Sequence, residues 1–130
     1  MKELCKHGVA ASVVLLHVVN KKRVEAMAQG VAWAGETALE FEEEIKKRLI
    51  EEAAEKLEKM KGELSKAEVK TVVEYGSPVK KIIEVTEKEG ISLIVMGSHG
   101  RGRFEELLLG SVSEGVIRFS KVPVFIVKKI

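Results

Sequence analysis

The segment Ser12–Val19 is short, rich in β-branched residues and almost continuously apolar. Such strands are typical of parallel sheets that helices cover on both faces, because regular alternation with polar residues arises only where one face meets water. The segment contains His17 and precedes a cluster of basic residues, a pattern that argues against a secretory signal. It is also too short for a membrane span, which needs about 20 apolar residues. We therefore interpret it as a buried strand.

Helical and extended patterns alternate along the rest of the chain. Apolar residues recur at three- and four-residue spacing from Ala38 to Leu64, which predicts one long amphipathic helix. The stretch from Lys21 to Gly35 shows no clear period and is predicted as a loop or a frayed helical approach. Further strands are predicted at Val69–Tyr75, Ile91–Met96 and Val122–Val127, and further helices from Pro78 to about Gly90 and over Ser111–Phe119.

This order of segments predicts an α/β fold: an open, mainly parallel twisted sheet with helices on both faces. We expect a single domain over residues 1–130, because no repeat, low-complexity tract or linker divides the sequence. The 22 basic and 20 acidic residues leave a formal net charge of +2, so no global field points to a nucleic acid or a membrane as partner. The single cysteine, Cys5, excludes a disulfide framework and favours a reducing, cytoplasmic setting.

A glycine-rich stretch after the third predicted strand carries the pattern most suggestive of chemistry. Gly97 and Gly100 lack a Cβ, so a phosphate chain could approach the backbone N–H groups there. Gly110 and Ser111 begin a helix whose free N–H groups form a second anion cradle, to which the hydroxyls of Ser111 and Ser113 could add donors. The spacing matches neither the dinucleotide fingerprint nor the P-loop. From the glycine pattern alone, a purely structural turn stays open.

Stronger chemical roles are not favoured for the other polar residues. His99 could donate to a phosphate, but no carboxylate lies beside it in sequence to orient an imidazole for catalysis. Arg101 could face phosphates or solvent. His17, His99 and Cys5 lack metal-ligand spacing, so we expect no metal site built by protein ligands.

Three stretches of the sequence resemble the universal stress protein family: Ser92–Arg101, Leu107–Val112 and Val122–Val127. The spacing of Gly97, Gly100 and Gly110-Ser111 is similar to the signature G-x2-G-x9-G-[ST], which marks the ATP-binding branch of that family. The resemblance covers roughly residues 8 to 128.

The resemblance implies that ATP is the ligand and that Mg²⁺ or Mn²⁺ accompanies its phosphates. It places the ribose and phosphates against the glycine signature and Val112, and the adenine beside Val18 and Met96. The full set of binding residues we expect is Val18, Met96, Gly97, Ser98, His99, Gly100, Arg101, Gly110, Ser111, Val112 and Ser113.

The sequence departs from the family's pattern at its start. Family members begin with a strand and a helix before the segment that matches Ser12–Val19, and that strand lies in the middle of the sheet and ends in an acidic nucleotide contact. Here Met1–Gly8 resembles at most the tail of that helix. We expect either that the natural chain begins upstream of Met1 or that a partner or rearranged segment takes the place of the strand.

We therefore expect an ATP-binding stress-response module that signals or protects according to whether nucleotide is bound, with no catalytic residue. A slow ATPase or phosphotransferase that uses the same pocket, and a dimeric scaffold that no longer binds nucleotide, are the alternatives. We also expect a homodimer paired in antiparallel sense along Val122–Val127, because this nearly uncharged strand lies at the sheet edge in the family's strand order.

Overall fold

The computed structural model describes residues 12–31, 38–64, 67–97 and 110–127. The described elements, in chain order, are β1 (Ser12–Asn20), α1 (Lys21–Val31), α2 (Ala38–Glu63), β2 (Glu68–Gly76), α3 (Pro78–Lys88), β3 (Ile94–Gly97), α4 (Ser111–Phe119) and β4 (Val124–Val127). β1 pairs with β2 and β3 pairs with β4, both in parallel. Parallel strands that alternate with helices confirm the predicted α/β class.

The chain divides into two compact units, residues 1–77 and 78–130. Each contains one parallel strand pair, and in the described part of the chain no strand pairs with the second edge of β1 or of β3. The strand and helix that family members carry before Ser12–Val19 stay outside what the structure tests, because residues 1–11 are not described.

In the first unit, β1 and β2 pair over nine residues, from Ser12 opposite Glu68 to Asn20 opposite Gly76. The two helices contribute narrow apolar stripes to the core, as expected for helices whose opposite faces meet water. The buried apolar side chains of this unit are Val13, Val19, Val24, Ala28, Ala53 and Leu57. The long helix predicted from Ala38 is confirmed as α2.

Helix α1 replaces the loop or frayed approach that the sequence predicts after β1. The backbone N–H of Lys22 donates to Asn20 Oδ1 at 3.0 Å, so the last residue of β1 caps the helix. Its buried stripe consists of Val24 and Ala28, which are 0% and 1% exposed, whereas Met27 is 43% exposed. Because two small residues make up most of the buried face, the helical period is faint in the sequence.

In the second unit, β3 and β4 pair from Ile94 opposite Val124 to Gly97 opposite Val127. Both strands begin two or three residues later than predicted. Pro123 has no N–H to donate, but its carbonyl accepts a hydrogen bond from the Ile94 N–H at 3.0 Å, and the ladder starts there. Helix α4 has the bounds that the sequence predicts.

Helices α3 and α4 pack closely at Gly115, and we expect alanine there to destabilise the protein. A Cβ at Gly115 would lie 2.7 Å from Val79 Cγ2, too close without a shift of a stiff, β-branched side chain. Such crowding costs about 1–3 kcal/mol, against a gain in helix propensity of about 1 kcal/mol. The net loss in the free energy of unfolding should be about 1 kcal/mol, measured by chemical denaturation.

Two matched variants separate crowding from propensity. Gly30→Ala places the same methyl on α1 with nothing within 4 Å, so we expect a gain of about 0.5–1 kcal/mol. In a Val79→Ala background the crowding is relieved, and Gly115→Ala should then be stabilising. If Gly115→Ala destabilises equally in both backgrounds, the close approach to Val79 is not the cause.

Candidate functional site

The carboxyl end of β3 and the start of α4 are joined by a side-chain hydrogen bond. The Ser113 hydroxyl donates to the Gly97 carbonyl oxygen at 2.7 Å, and Ser113 is only 2% exposed. Gly97 is the last residue of β3, and Ser113 lies in the first turn of α4. Ligands of open α/β sheets bind at this kind of position, beyond the carboxyl end of a strand.

Helix α4 begins without a side-chain cap. Its N-cap residue is Gly110, with φ −68° and ψ 158°, and it makes no side-chain cap hydrogen bond. The first helical backbone bond runs from the Glu114 N–H to the Gly110 carbonyl at 3.0 Å. The N–H groups of Ser111, Val112 and Ser113 precede that bond and therefore have no carbonyl partner within the helix.

These N–H groups and the positive end of the helix dipole favour an anion at the start of α4. The dipole contributes about 0.3–1 kcal/mol per unit charge at an exposed site, and each N–H group adds a directional donor. Ser111 is exposed and Val112 is half-buried, so the first turn is open to a ligand from solvent. The nearest acidic residue on the helix, Glu114, forms an exposed ion pair with Arg118 at 3.6 Å.

The structure gives the Ser113 hydroxyl a different partner from the one that the sequence suggests. A serine hydroxyl has one proton to donate, and here it goes to Gly97. A phosphate at the start of α4 would therefore find the backbone N–H of Ser113, and not a second donor from its side chain.

The other predicted binding residues fall into three groups. Met96 is half-buried on β3 beside Gly97, opposite Ile126 of β4. Val18 is half-buried on β1 in the first unit, opposite Glu74 of β2. The remaining predicted residues lie outside the described part of the chain: Ser98, His99, Gly100 and Arg101. The adenine contacts assigned to Val18 and Met96 stay predictions.

A second polar cluster, which the sequence did not suggest, surrounds Tyr75 at the carboxyl end of β2. Its hydroxyl is buried, and Lys46 Nζ lies 4.4 Å from the ring centroid. Burial raises the pKa of Tyr75 most, and the negative charges of Glu42, Glu25 and Glu43, together with a hydrogen bond to Glu42, raise it further. The spacing of Lys46 and Tyr75 in sequence gives no hint of this contact, because α2 must first pack on β2.

We expect Tyr75→Phe to remove a pH dependence of the free energy of unfolding. The folded state holds the Tyr75 proton more tightly than the unfolded state, whose pKa is 10.0, so stability falls as pH rises above 10.0. The difference in the free energy of unfolding between Tyr75→Phe and the parent should therefore shift in favour of the variant from about pH 7 to about pH 11, measured by denaturant titration. A difference that does not change with pH would contradict the raised pKa.

The described part of the chain contains neither a cluster of metal-ligand side chains nor a helix suited to span a membrane. No group of three or more histidine, cysteine, aspartate or glutamate side chains is placed there to hold a metal ion. None of the helices described is both long enough and apolar enough to cross a bilayer.

Parallel strands alternate with helices, and the uncapped start of α4 lies beside the carboxyl end of β3, so the chain is an α/β protein. The family model described as "Universal stress protein family" matches residues 2–128. The chain belongs to the universal stress protein family.

Individual relatives are similar over most of their own length. The chain is 40% identical to universal stress protein MJ0577 of Methanocaldococcus jannaschii, over 92% of this chain and 78% of that protein. It is 33% identical to universal stress protein YxiE of Bacillus subtilis, over 91% of this chain and 80% of that protein. A solved structure of MJ0577, described as a test case of structural genomics, superposes with a TM-score of 0.75 at 36% identity, over 96% of this chain and 85% of the other. The solved structure of hypothetical protein PH0823 superposes with a TM-score of 0.68 at 30% identity, over 99% of this chain and 85% of the other.

Proposed function

We propose that this chain binds ATP, with the phosphates held by backbone N–H groups at the start of α4 and beside the end of β3. The observation that carries this proposal is the uncapped first turn of α4, which the Ser113 hydroxyl bond holds against Gly97. The spacing of Gly97, Gly100 and Gly110-Ser111, which resembles the ATP-binding signature, supports the same placement. Val18 and Met96 are the proposed neighbours of the adenine.

A divalent ion, Mg²⁺ or Mn²⁺, enters this site together with the phosphates. Mg²⁺ prefers phosphate oxygens and water to an all-protein cage, so the metal's affinity depends on the nucleotide. Tight binding of Mg²⁺ or Mn²⁺ to the protein without ATP would contradict this part of the proposal.

The proposed biological role is that of a cytoplasmic, homodimeric signalling or protective module whose state is set by bound ATP. Support for the dimer comes from β4: it pairs with β3 along one edge, and Phe125 in its middle is 59% exposed. Unpaired strand edges readily add a strand from another chain. The single cysteine supports the reducing setting.

The direct test is to isolate the protein under mild conditions, denature it and analyse the released small molecules by mass spectrometry. We expect ATP or another adenine nucleotide, and saturable binding of added ATP at about 1 mM or below by calorimetry. If neither is found, the chain is the scaffold without nucleotide binding. ADP release that Gly110→Val abolishes would support the slow ATPase or phosphotransferase instead.

A further inference from the structure

We propose that Ser113 is a positioning residue for the ATP site, whose hydroxyl fixes the start of α4 to the end of β3 and so sets the spacing of the two backbone segments around the phosphates. This inference rests on the proposed ATP binding. It assigns to the side chain of Ser113 a role other than contact with the ligand.

The geometry of the bond supports this role. It joins residues 16 positions apart in sequence, at 2.7 Å, and its donor is only 2% exposed. Gly97 is itself held in the sheet, opposite Val127 of β4. The first turn of α4 is therefore tied to the β3–β4 ladder and not only to its neighbouring helix.

Two described contacts of α4 lie further along the helix. Val116 is fully buried, and Gly115 packs against Val79 of α3. These contacts hold the body of the helix, whereas the N–H groups proposed to bind phosphate lie in its first turn. A small change in the direction of α4 would move those N–H groups relative to Gly97, and hydrogen bonds weaken steeply when donor distance or angle departs from the optimum.

Replacement of Ser113 by alanine separates the role of its backbone N–H from the role of its hydroxyl. Alanine keeps the backbone N–H that would contact phosphate and removes only the hydroxyl bond to Gly97. If the side chain did nothing but contribute to stability, ATP affinity in the folded variant would be unchanged. We expect ATP to bind on the order of tenfold more weakly.

The chain offers a matched control at the other end of the same helix. The Ser120 hydroxyl, which follows α4, also donates to a backbone carbonyl at 2.7 Å, that of Val122. Ser120→Ala should lower the melting temperature as Ser113→Ala does, but leave ATP affinity unchanged. Ser113→Thr keeps the hydroxyl and should restore most of the affinity.

The experiment measures ATP and adenosine affinity by calorimetry, with melting temperatures, for the parent and these three variants. We expect Ser113→Ala to weaken ATP but not adenosine, because adenosine carries no phosphate. Equal ATP affinity in parent and Ser113→Ala would overturn the positioning role while the proposed function stands. Equal weakening in Ser113→Ala and Ser120→Ala, or no restoration by threonine, would also overturn it.

Two further outcomes of the experiment bear on the positioning role. If the parent binds no ATP, the proposed function fails, and the positioning role fails with it. If Ser113→Ala does not fold, Ser113→Cys takes its place, since a thiol is of similar size and a weaker donor. ATP affinity in that variant should then be reduced, and affinity equal to the parent's would overturn the inference.

Discussion

Replacement of Gly110 by valine is expected to abolish the proposed ATP binding while the protein stays folded. Gly110 has φ −68° and ψ 158°, a region that L-residues and β-branched residues in particular adopt without strain. The valine side chain would stand at the N-cap of α4, next to the N–H groups proposed to hold phosphate. We expect at least about a 100-fold loss of affinity, equivalent to about 2.7 kcal/mol, by calorimetric titration.

Three variants test whether this loss depends on the position and the size of the side chain. Gly110→Ala adds one methyl group and should give a smaller loss than valine. Gly62→Val makes the same chemical change on α2, where nothing lies within 4 Å, and should leave ATP affinity unchanged. Gly100→Val should abolish binding as Gly110→Val does. Parental affinity in a folded Gly110→Val protein would place the phosphates elsewhere.

Replacement of Phe125 by lysine is expected to shift the proposed homodimer to monomer. Phe125 lies in the middle of β4 and is 59% exposed, so lysine there should not strain the protomer. Antiparallel pairing of two copies across a two-fold axis would bring the two lysines close together and remove an aromatic contact. We expect the dissociation constant of the dimer to rise about 100-fold, measured by sedimentation at micromolar concentration.

Phe119→Lys is the matched control for this prediction. Phe119 is 62% exposed, but it ends α4 and does not lie on the strand. We expect its replacement to leave the dimer intact. Val124→Lys should also favour the monomer, but Val124 is half-buried and its replacement affects the protomer too. A parent that sediments as a monomer, or a dimer unaffected by lysine at Phe125, would show that β4 is not the interface.

The sequence alone determined the type and order of most elements. The helices that begin at Ala38, Pro78 and Ser111 were predicted at those residues, because periodicity, a helix-initiating proline and the glycine before Ser111 are local signals. Family membership also followed from local signals, since the glycine spacing and the last strand were sufficient to suggest it. The candidate residues of the proposed phosphate site could therefore be identified from the sequence alone.

Only the tertiary structure decided the features that require contact between segments distant in sequence. For helix α1 the sequence predicts no more than a loop or a frayed helical approach, because the burial of Val24 and Ala28 becomes evident only when the core they enter is known. The start of β3 at Ile94 depends on the carbonyl of Pro123, 29 positions further on. The sequence does not show whether the Ser113 hydroxyl faces a ligand or the protein. In the structure it donates to the Gly97 carbonyl, because the end of β3 lies beside the first turn of α4. A hydrogen bond between residues far apart in sequence has no local signature, because its partner is chosen by the packing of the whole unit.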